Sequence, residues 1–326
     1  MFESIITHND FDGIASAAIC SFIYNIENIK FAGPNTIARA QIAVTKNDIV
    51  CDLPYPLECG MWFDHHEGNL QELKYRNIDT ATIEGAFSLE PSCARVIYNY
   101  LKERDHKLPE HFEGLVEETD VIDSFDYDSI DEWRSETPGK IIDATLKTRL
   151  QDKRDRDHYF RSLVYMLRDE PLDIVAQKPE IREKYEQFQR EEAEMLKIIE
   201  NNSRFLEQDE DEEIIIIDLT GFNRRPHTIK NLAYLLYPRA LSVLEVNSLY
   251  KRGVKSNDIA ISMSLSINLN NNEHPKDVGE IMRELNIGDG HAGAAAGTVY
   301  CDSKNEMLKR KEQILVEILH IWKSQN

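Results

Sequence analysis

Short apolar runs separated by polar loops dominate the first part of the chain. Each run is too short for a helix and is typical of a buried strand with its turn. The runs lie at residues 2–7, 31–34, 48–54 and 61–63. Small and apolar residues at 14–19 instead favour a helix after the first run. This order of strand, loop and helix places loop residues at the carboxyl edge of a parallel sheet. The pattern therefore predicts an α/β fold whose N-terminal part contains a parallel sheet.

Side chains that can bind a metal ion follow three of these runs. They are His8, Asp10 and Asp12 after the first run, Asp52 after the third, and Asp64, His65 and His66 at the end of the fourth. If the three strands are neighbours in one parallel sheet, all of these side chains meet at one edge. Successive strand residues point to opposite faces, so we expect Asp64 and His66 on one face and His65 on the other.

Each of these groups also has a simpler interpretation. An acidic loop before a helix can serve only as an N-cap, Asp52 can be a turn residue before Pro54, and two adjacent histidines can lie on the surface. A cap needs one acid, whereas the first loop offers two acids and a histidine. The repetition at three strand ends favours a shared metal site.

Two helices are predicted next, an amphipathic one at residues 91–101 with a Pro-Ser pair as its start signal and a second at about 112–120. The second helix leads into an acidic segment that ends near residue 128. Asp120 and Asp123 in this segment are both candidates for a further metal ligand. A solvated acidic loop is the alternative explanation for the same residues.

The second half of the chain predicts charged helices followed by a smaller domain. Residues 131–212 are rich in charges of both signs and poor in glycine, which indicates solvated helices that complete the first domain and connect it to the next. A run of isoleucines then predicts a strand at 214–219, and two further strands and a helix follow. We therefore predict a parallel-sheet domain core at 1–130, a helical connector at 131–212 and a mixed α/β domain at 213–326.

Two segments of the C-terminal domain are candidates for substrate contact. Arg224 and Arg225 form a compact basic cluster before a predicted helix at 228–236, and helix N-termini favour anions. A glycine- and alanine-rich loop is predicted at 288–297, where backbone can approach a ligand closely. Its candidate residues are Gly288, Gly290, His291, Ala292 and Gly293. Charge balance for the arginines and a flexible turn for the loop stay open as simpler interpretations.

The composition limits the classes of partner. A formal net charge of −20 and a pI near 4.9 argue against a protein that coats long nucleic acid or binds an anionic membrane. A polyanionic substrate must then be met locally, and bound divalent cations are a direct way to do so. Five cysteines without a Cys-x-x-Cys pair indicate buried thiols in a reducing compartment. With no leader pattern and no apolar stretch of spanning length, we expect a soluble cytoplasmic protein.

The motifs resemble those of a known enzyme family. The loop at 8–13, the isolated Asp52, the Asp64-His65-His66 triplet and the glycine-histidine loop occur here in the order found in DHH-family phosphoesterases. The resemblance is to the branch with a smaller DHH-associated C-terminal domain, which includes oligoribonuclease (nanoRNase) and exopolyphosphatase-related proteins. It spans roughly residues 3–130 and 213–300.

This resemblance implies a centre of two Mn2+ ions per chain, in which Mg2+ or Co2+ would also fit. The implied ligands are His8 and Asp10 for one ion, Asp12 and His65 for the other, Asp52 as the bridge, and Asp120 or Asp123 to complete the second. Imidazoles mixed with carboxylates in an open site suit Mn2+. Asp64 and His66 would take catalytic roles, either by supporting the ligands or by reaching the scissile phosphate.

The resemblance also implies a mode of substrate binding. His291 and the glycines around it would contact the distal nucleotide or phosphate. Some members carry an arginine in the strand before the glycine loop, where this chain has Ser262-Met263-Ser264. Arg224 or Arg225 would then supply the positive charge.

The function expected from these features is that of a Mn2+-dependent phosphodiesterase acting as an exonuclease or oligoribonuclease on short oligonucleotides or linear dinucleotides. The acidic surface leaves no basic track for a long strand. A phosphatase acting on inorganic polyphosphate or on 3′-phosphoadenosine 5′-phosphate is the alternative enzyme, and a nucleotide-binding module without turnover is the alternative from another class. A homodimer is compatible with all three.

Overall fold

The computed structural model describes residues 2–149, 152–251, 253–269 and 274–325. Contacts divide the chain into two compact units, the first formed by Met1–Asp126 and Glu136–Gln189, the second by Tyr127–Ser135 and Arg190–Asn326. Residues 131–212, which we predicted as a connector, are therefore shared between the two units.

The first unit is organised around a sheet of five parallel strands among the described residues. In chain order the strands are β1 (Ser4–Thr7), β2 (Ile29–Phe31), β3 (Asp48–Cys51), β4 (Met61–Asp64) and β5 (Gly85–Phe87). Their order across the sheet is β2-β1-β3-β4-β5. The predicted parallel sheet is confirmed. The edge strand β5 was missed, because three residues with a leading glycine carry little periodic signal.

Alternate side chains of the central strands enter two different cores. Ile5 of β1 and Ile49 of β3 belong to a large cluster formed with the helices, whereas Ile6 and Val50 belong to a smaller cluster on the other face, with Trp62 of β4. Burial on both faces explains why these strands are continuous apolar runs, as is usual for parallel sheets.

The described residues contain thirteen α-helices, which lie in both units. They are α1 (Phe11–Tyr24), α2 (Pro34–Ala38), α3 (Glu67–Tyr75), α4 (Cys93–Lys102), α5 (His111–Ser124), α6 (Ile130–Arg134), α7 (Pro138–Leu146), α8 (Lys153–Asp169), α9 (Leu172–Ala176), α10 (Pro179–Asn202), α11 (Ala233–Leu236), α12 (Val278–Glu284) and α13 (Lys304–Ser324). Short 3-10 segments lie at Thr80–Thr82, Lys230–Leu232 and Ile267–Leu269. None of the helices in the described ranges has the length and apolar character needed to cross a membrane.

The second unit contains a mixed sheet of six strands within the described residues. The strands are β6 (Ser203–Arg204), β7 (Ile214–Asp218), β8 (Ser242–Lys251), β9 (Val254–Leu265), β10 (Gly288–His291) and β11 (Ala294–Val299). They lie in the order β10-β11-β9-β8-β7-β6, with only β7 and β8 parallel among these pairs. The prediction of a mixed α/β C-terminal domain is confirmed.

Two local predictions for the second unit are wrong. The segment expected as a helix at 228–236 has a 3-10 turn and then only the four residues of α11. The glycine-rich segment expected as a loop is a β-hairpin, in which Gly288 lies opposite Gly297. A Cβ at Gly288 would clash with the carbonyl oxygen of Ala296, so the small residues serve close strand pairing.

Close packing also explains a glycine at the start of α1. The carbonyl of Gly13 accepts a hydrogen bond from Thr7 Oγ1 at 2.7 Å, and a Cβ at Gly13 would clash with the backbone of His8. Glycine at this position therefore lets α1 begin directly against the loop that follows β1.

We expect Gly13→Ala to destabilise the protein by about 1–3 kcal/mol, because the added methyl group forces the backbone of residue 8 to move. Gly114→Ala is the matched control. Gly114 lies in α5 with open space around its Cβ position, so alanine there should stabilise by about 0.5–1 kcal/mol. Denaturant unfolding measures both changes. Equal effects of the two substitutions would contradict the close approach.

Candidate metal centre

Three adjacent strands deliver metal-competent residues to one edge of the first sheet. In the register of the sheet, Thr7 of β1 lies beside Cys51 of β3, which lies beside Phe63 of β4. The residues that follow these positions are His8, Asp52 and the Asp64-His65-His66 triplet. The carboxyl ends of parallel strands thus bring these side chains together.

Asp52 lies at the middle of this edge. It is 2% exposed, and neither of its carboxylate oxygens has a hydrogen-bond partner among the described residues. Three imidazole nitrogens surround it instead: His8 Nδ1 at 3.4 Å, His65 Nε2 at 3.7 Å and His66 Nδ1 at 3.7 Å. Its backbone has a positive φ of 56°, a conformation uncommon outside glycine that occurs at functional sites.

The candidate ligands form three overlapping groups around this carboxylate. Asp52 belongs to one group with His8 and Asp10 and to another with His65 and His66, and a third group of Asp12, His65 and Asp123 adjoins them; within each group the ligand atoms lie within 4.8 Å of one another. His65 Nε2 connects the groups, since it lies 3.7 Å from Asp52 and 3.4 Å from Asp123. A buried carboxylate without a partner among such groups fits a pair of divalent cations.

The orientation of His65 is fixed by a bond outside the cluster. Its Nδ1 lies 3.0 Å from the carbonyl oxygen of Glu90, and a carbonyl oxygen only accepts, so Nδ1 carries the hydrogen. Nε2 then presents its lone pair to the cluster, where it is buried without a hydrogen-bond partner among the described residues. This is the arrangement of a metal-binding histidine.

Asp12 is held by the first turn of α4. Its two oxygens accept hydrogen bonds from the backbone N–H groups of Cys93 at 2.7 Å and Ala94 at 2.8 Å. The free amides and the positive end of the helix dipole stabilise a carboxylate there. Burial nevertheless raises the pKa of Asp12 above its ordinary value, although His65 opposes this rise.

Asp10 has two roles at once. Its Oδ1 accepts from the N–H of Gly13 at 2.9 Å and so caps α1, while its Oδ2 faces His8 Nδ1. Burial alone would raise the pKa of Asp10, but the bond with His8 lowers it below its ordinary value. The capping interpretation and the ligand interpretation of this loop are therefore compatible.

The structure separates the two acids of α5. Asp120 accepts hydrogen bonds from Arg95 Nε at 2.8 Å and from Ser92 Oγ at 2.7 Å. Its carboxylate is therefore paired with the start of α4 and not with the candidate metal ligands. Asp123 Oδ2 reaches His65 Nε2. Of the two candidates, Asp123 is the one that lies in the metal-competent cluster.

The carboxylates of this cluster lie close to one another with little positive charge around them. Burial raises the pKa of Asp52 well above its ordinary value, and the neighbouring charges of Asp10 and Asp12 raise it further. Desolvation, and to a lesser extent the negative charge of Asp12, also raise the pKa of Asp123 well above its ordinary value. Divalent cations would supply the missing charge.

The triplet does not alternate as we expected. His65 and His66 both lie near the same oxygen of Asp52, because β4 ends at Asp64 and the strand period stops there. Asp64 is fully buried and accepts from His66 Nδ1 at 2.9 Å and from Asn69 Nδ2 at 2.7 Å. The side chain of His66 is 52% exposed, which leaves its ring accessible at the rim of the cluster.

The other candidate residues belong to the second unit. His291 ends β10, and its Nδ1 accepts from the N–H of Gly293 at 3.2 Å across the hairpin turn. Arg225 Nη2 lies 3.6 Å from Glu245 Oε1, as charge balance predicts, and Arg224 is exposed. Gly288, Gly290 and Ala292 form the backbone of the same hairpin.

Comparisons with known proteins support the fold. The chain matches a pGpG-specific phosphodiesterase from Vibrio cholerae with a TM-score of 0.68 and 20% identity, over 97% of this chain and 99% of that one. It matches Mn2+-bound RecJ from Thermus thermophilus with a TM-score of 0.52 and 12% identity, over 97% of this chain and 52% of that one. The DHH domain of a protein assigned to a family of ribosomal proteins matches with a TM-score of 0.51 and 12% identity, over 98% of this chain and 86% of that one. The chain has the DHH fold. Scans of protein-family models and of curated proteins find no match.

Several residues that shape this candidate site are not identified by the sequence analysis. Asn69, Glu90 and Arg95 each fix a candidate site residue or its neighbour through a hydrogen bond. None of them has a metal-binding side chain at a strand end, so no local signal identifies them. The sequence identifies Ser92 only as a helix start, although it also bonds Asp120.

We expect Asp52→Asn to raise the thermal stability of the metal-free protein, because it removes a buried charge without a partner. The same substitution should abolish the stabilisation that the wild type gains from added Mn2+. Asp105→Asn is the matched control, since Asp105 is exposed and shares the positive φ of 56°. Melting curves with EDTA and with Mn2+ give both quantities. A metal response that survives Asp52→Asn would contradict the bridging role.

The two acids of α5 should differ in their effects. Asp120→Asn should cost about 1.5–3 kcal/mol of stability through the lost bonds to Arg95 and retain the Mn2+ response. Asp123→Asn should instead weaken the metal response by at least about 10-fold in apparent affinity. Mn2+ titration monitored by unfolding temperature separates the two. The reverse pattern would show that Asp120 is the ligand.

Proposed function

We propose that this protein is a metal-dependent phosphodiesterase that hydrolyses short oligonucleotides or linear dinucleotides to mononucleotides, with two Mn2+ ions in the first unit. The observation that carries the proposal is the carboxylate of Asp52, buried without a hydrogen-bond partner among the described residues and shared by two groups of candidate ligands. Burying such a charge is costly unless a cation binds it.

Six residues would hold the metal ions. They are His8, Asp10 and Asp52 for one ion and Asp12, His65 and Asp123 for the other, with Asp52 shared. When bound, two such ions lower the pKa of a water molecule and stabilise the attacking and leaving oxygens of an in-line displacement. The mixture of imidazoles and carboxylates supports Mn2+ as the resident metal, and RecJ from Thermus thermophilus has been solved with Mn2+ and with Mg2+.

Asp64 and His66 would act beside the metal ions. Burial alone would lower the pKa of His66, but the hydrogen bond with Asp64 raises it above its ordinary value. When protonated, the imidazole of His66 at the accessible rim of the site would donate to a non-bridging phosphate oxygen. Asp64, held by Asn69, would keep the ring in this orientation.

Two observations support a short substrate. The net charge of −20 repels a long polyanion. The Vibrio cholerae protein of the same fold is named for pGpG, a linear dinucleotide. In the second unit, His291 and the hairpin backbone from Gly288 to Gly293 would contact the distal nucleotide.

Hydrolysis of a matched substrate panel tests the function. The panel contains a linear dinucleotide, a five-residue RNA, a 24-residue RNA, 3′-phosphoadenosine 5′-phosphate and polyphosphate, each with Mn2+ and with the Asp52→Ala variant as control. We expect fast cleavage of the dinucleotide, slow cleavage of the longest RNA, and a loss of at least about 100-fold in the variant.

Other results would redirect the assignment. Phosphate release from polyphosphate or 3′-phosphoadenosine 5′-phosphate, with the dinucleotide intact, would identify a phosphatase. Tight nucleotide binding without hydrolysis of any substrate would identify a binding module.

A further inference from the structure

Lys230 is a partly buried cation with little compensation in the second unit. Its ammonium group donates to Ser262 Oγ at 2.7 Å, and no carboxylate of the described residues lies within 4 Å of it. A neutral hydroxyl does not balance a full charge. Burial accordingly lowers the pKa of Lys230 below its ordinary value, and the charge of Glu245 opposes this only in part.

Glu245 lies opposite Ser262 in the sheet, but other donors already occupy its carboxylate. Its oxygens accept from Asn247 Nδ2 at 2.6 Å and from Thr228 Oγ1 at 3.2 Å, and Arg225 Nη2 lies 3.6 Å away. Glu245 is itself 5% exposed. Its negative charge is therefore shared with Arg225, and Lys230 keeps an excess of positive charge.

The strand register places Ser262, the hydrogen-bond partner of Lys230, on the same sheet face as His291. Ser262 of β9 pairs with Ala296 of β11, and two residues further along the strand Ser264 pairs with Ala294. Ala294 in turn pairs with His291. Residues directly opposite each other share a face, as do residues two apart. Two strand spacings and two residues along β9 separate Ser262 from His291, a distance of roughly 12 Å between Cα atoms.

We propose that Lys230 and Ser262 bind a phosphate group of the nucleotide whose other end contacts His291. Lys230 supplies the charge and its remaining N–H donors. Ser262 accepts from Lys230 and so has its own hydroxyl hydrogen free to donate to a phosphate oxygen. The spacing to His291 is one that a single nucleotide can bridge. Naming the anion as a nucleotide phosphate rests on the proposed function; the uncompensated lysine does not.

Binding of GMP and of guanosine to the protein tests this subsite. EDTA is present, so that the phosphate cannot bind through metal ions, and calorimetry gives both dissociation constants. We expect the wild type to prefer GMP, and Lys230→Met to weaken GMP binding by about 10-fold or more without a matching change for guanosine. Lys230→Arg should restore most of the preference.

Stability provides a second readout that separates binding from a structural role. Lys230→Met should melt at the same or a higher temperature than the wild type, because a partly buried cation with little compensation is lost. A lysine needed only for folding would lower it. Lys309→Met is the matched control, since Lys309 is exposed in the same unit and carries the same charge.

Three results would overturn the subsite. They are a wild type with no preference for GMP over guanosine, a Lys230→Met variant with unchanged GMP affinity, and a Lys309→Met variant with the same loss. These outcomes are independent of the proposed function. If no substrate is hydrolysed but the GMP preference depends on Lys230, the subsite stands and the function fails.

Discussion

The carboxylate of Asp52 is the constraint on which the first unit depends. The parallel sheet buries it near Asp10, Asp12 and Asp123, and the fold leaves both of its oxygens without a hydrogen-bond partner among the described residues. Such a charge cluster opposes folding in the absence of metal. The surrounding sheet and helices must therefore hold it in place, through a large apolar core on one face of the sheet and a smaller one on the other.

The geometry of the cluster comes from the backbone rather than from flexible side chains. The first turn of α4 binds Asp12, the start of α1 is capped by Asp10, and a carbonyl fixes the tautomer of His65. Each contact uses a backbone group that secondary structure leaves unpaired. A site built in this way keeps its ligands oriented before any ion binds, which lowers the cost of organising it.

The sequence predicts those ligands of this centre that directly follow a strand, but not the choice between ligands on a helix. His8, Asp52 and His65 follow apolar runs, so a parallel sheet suffices to bring them together. Asp120 and Asp123 lie within about one helical turn of each other, and what separates them is the partner Arg95 on another helix. The sequence predicts a loop at 288–297, whereas the structure has a hairpin, because strand pairing rather than intrinsic propensity decides the structure of these small residues.

Charge balance links the chemistry of the two units. The first buries several carboxylates that need cations, and the second partly buries Lys230 with only a neutral hydroxyl bonded to its ammonium. Both features cost stability in the absence of ligands, yet their signs are opposite, so one simple ion cannot satisfy them. Divalent cations together with a phosphorylated ligand would supply both missing charges. In the proposed phosphodiesterase, these local charges would offset the repulsion between a phosphodiester and a protein with a net charge of −20.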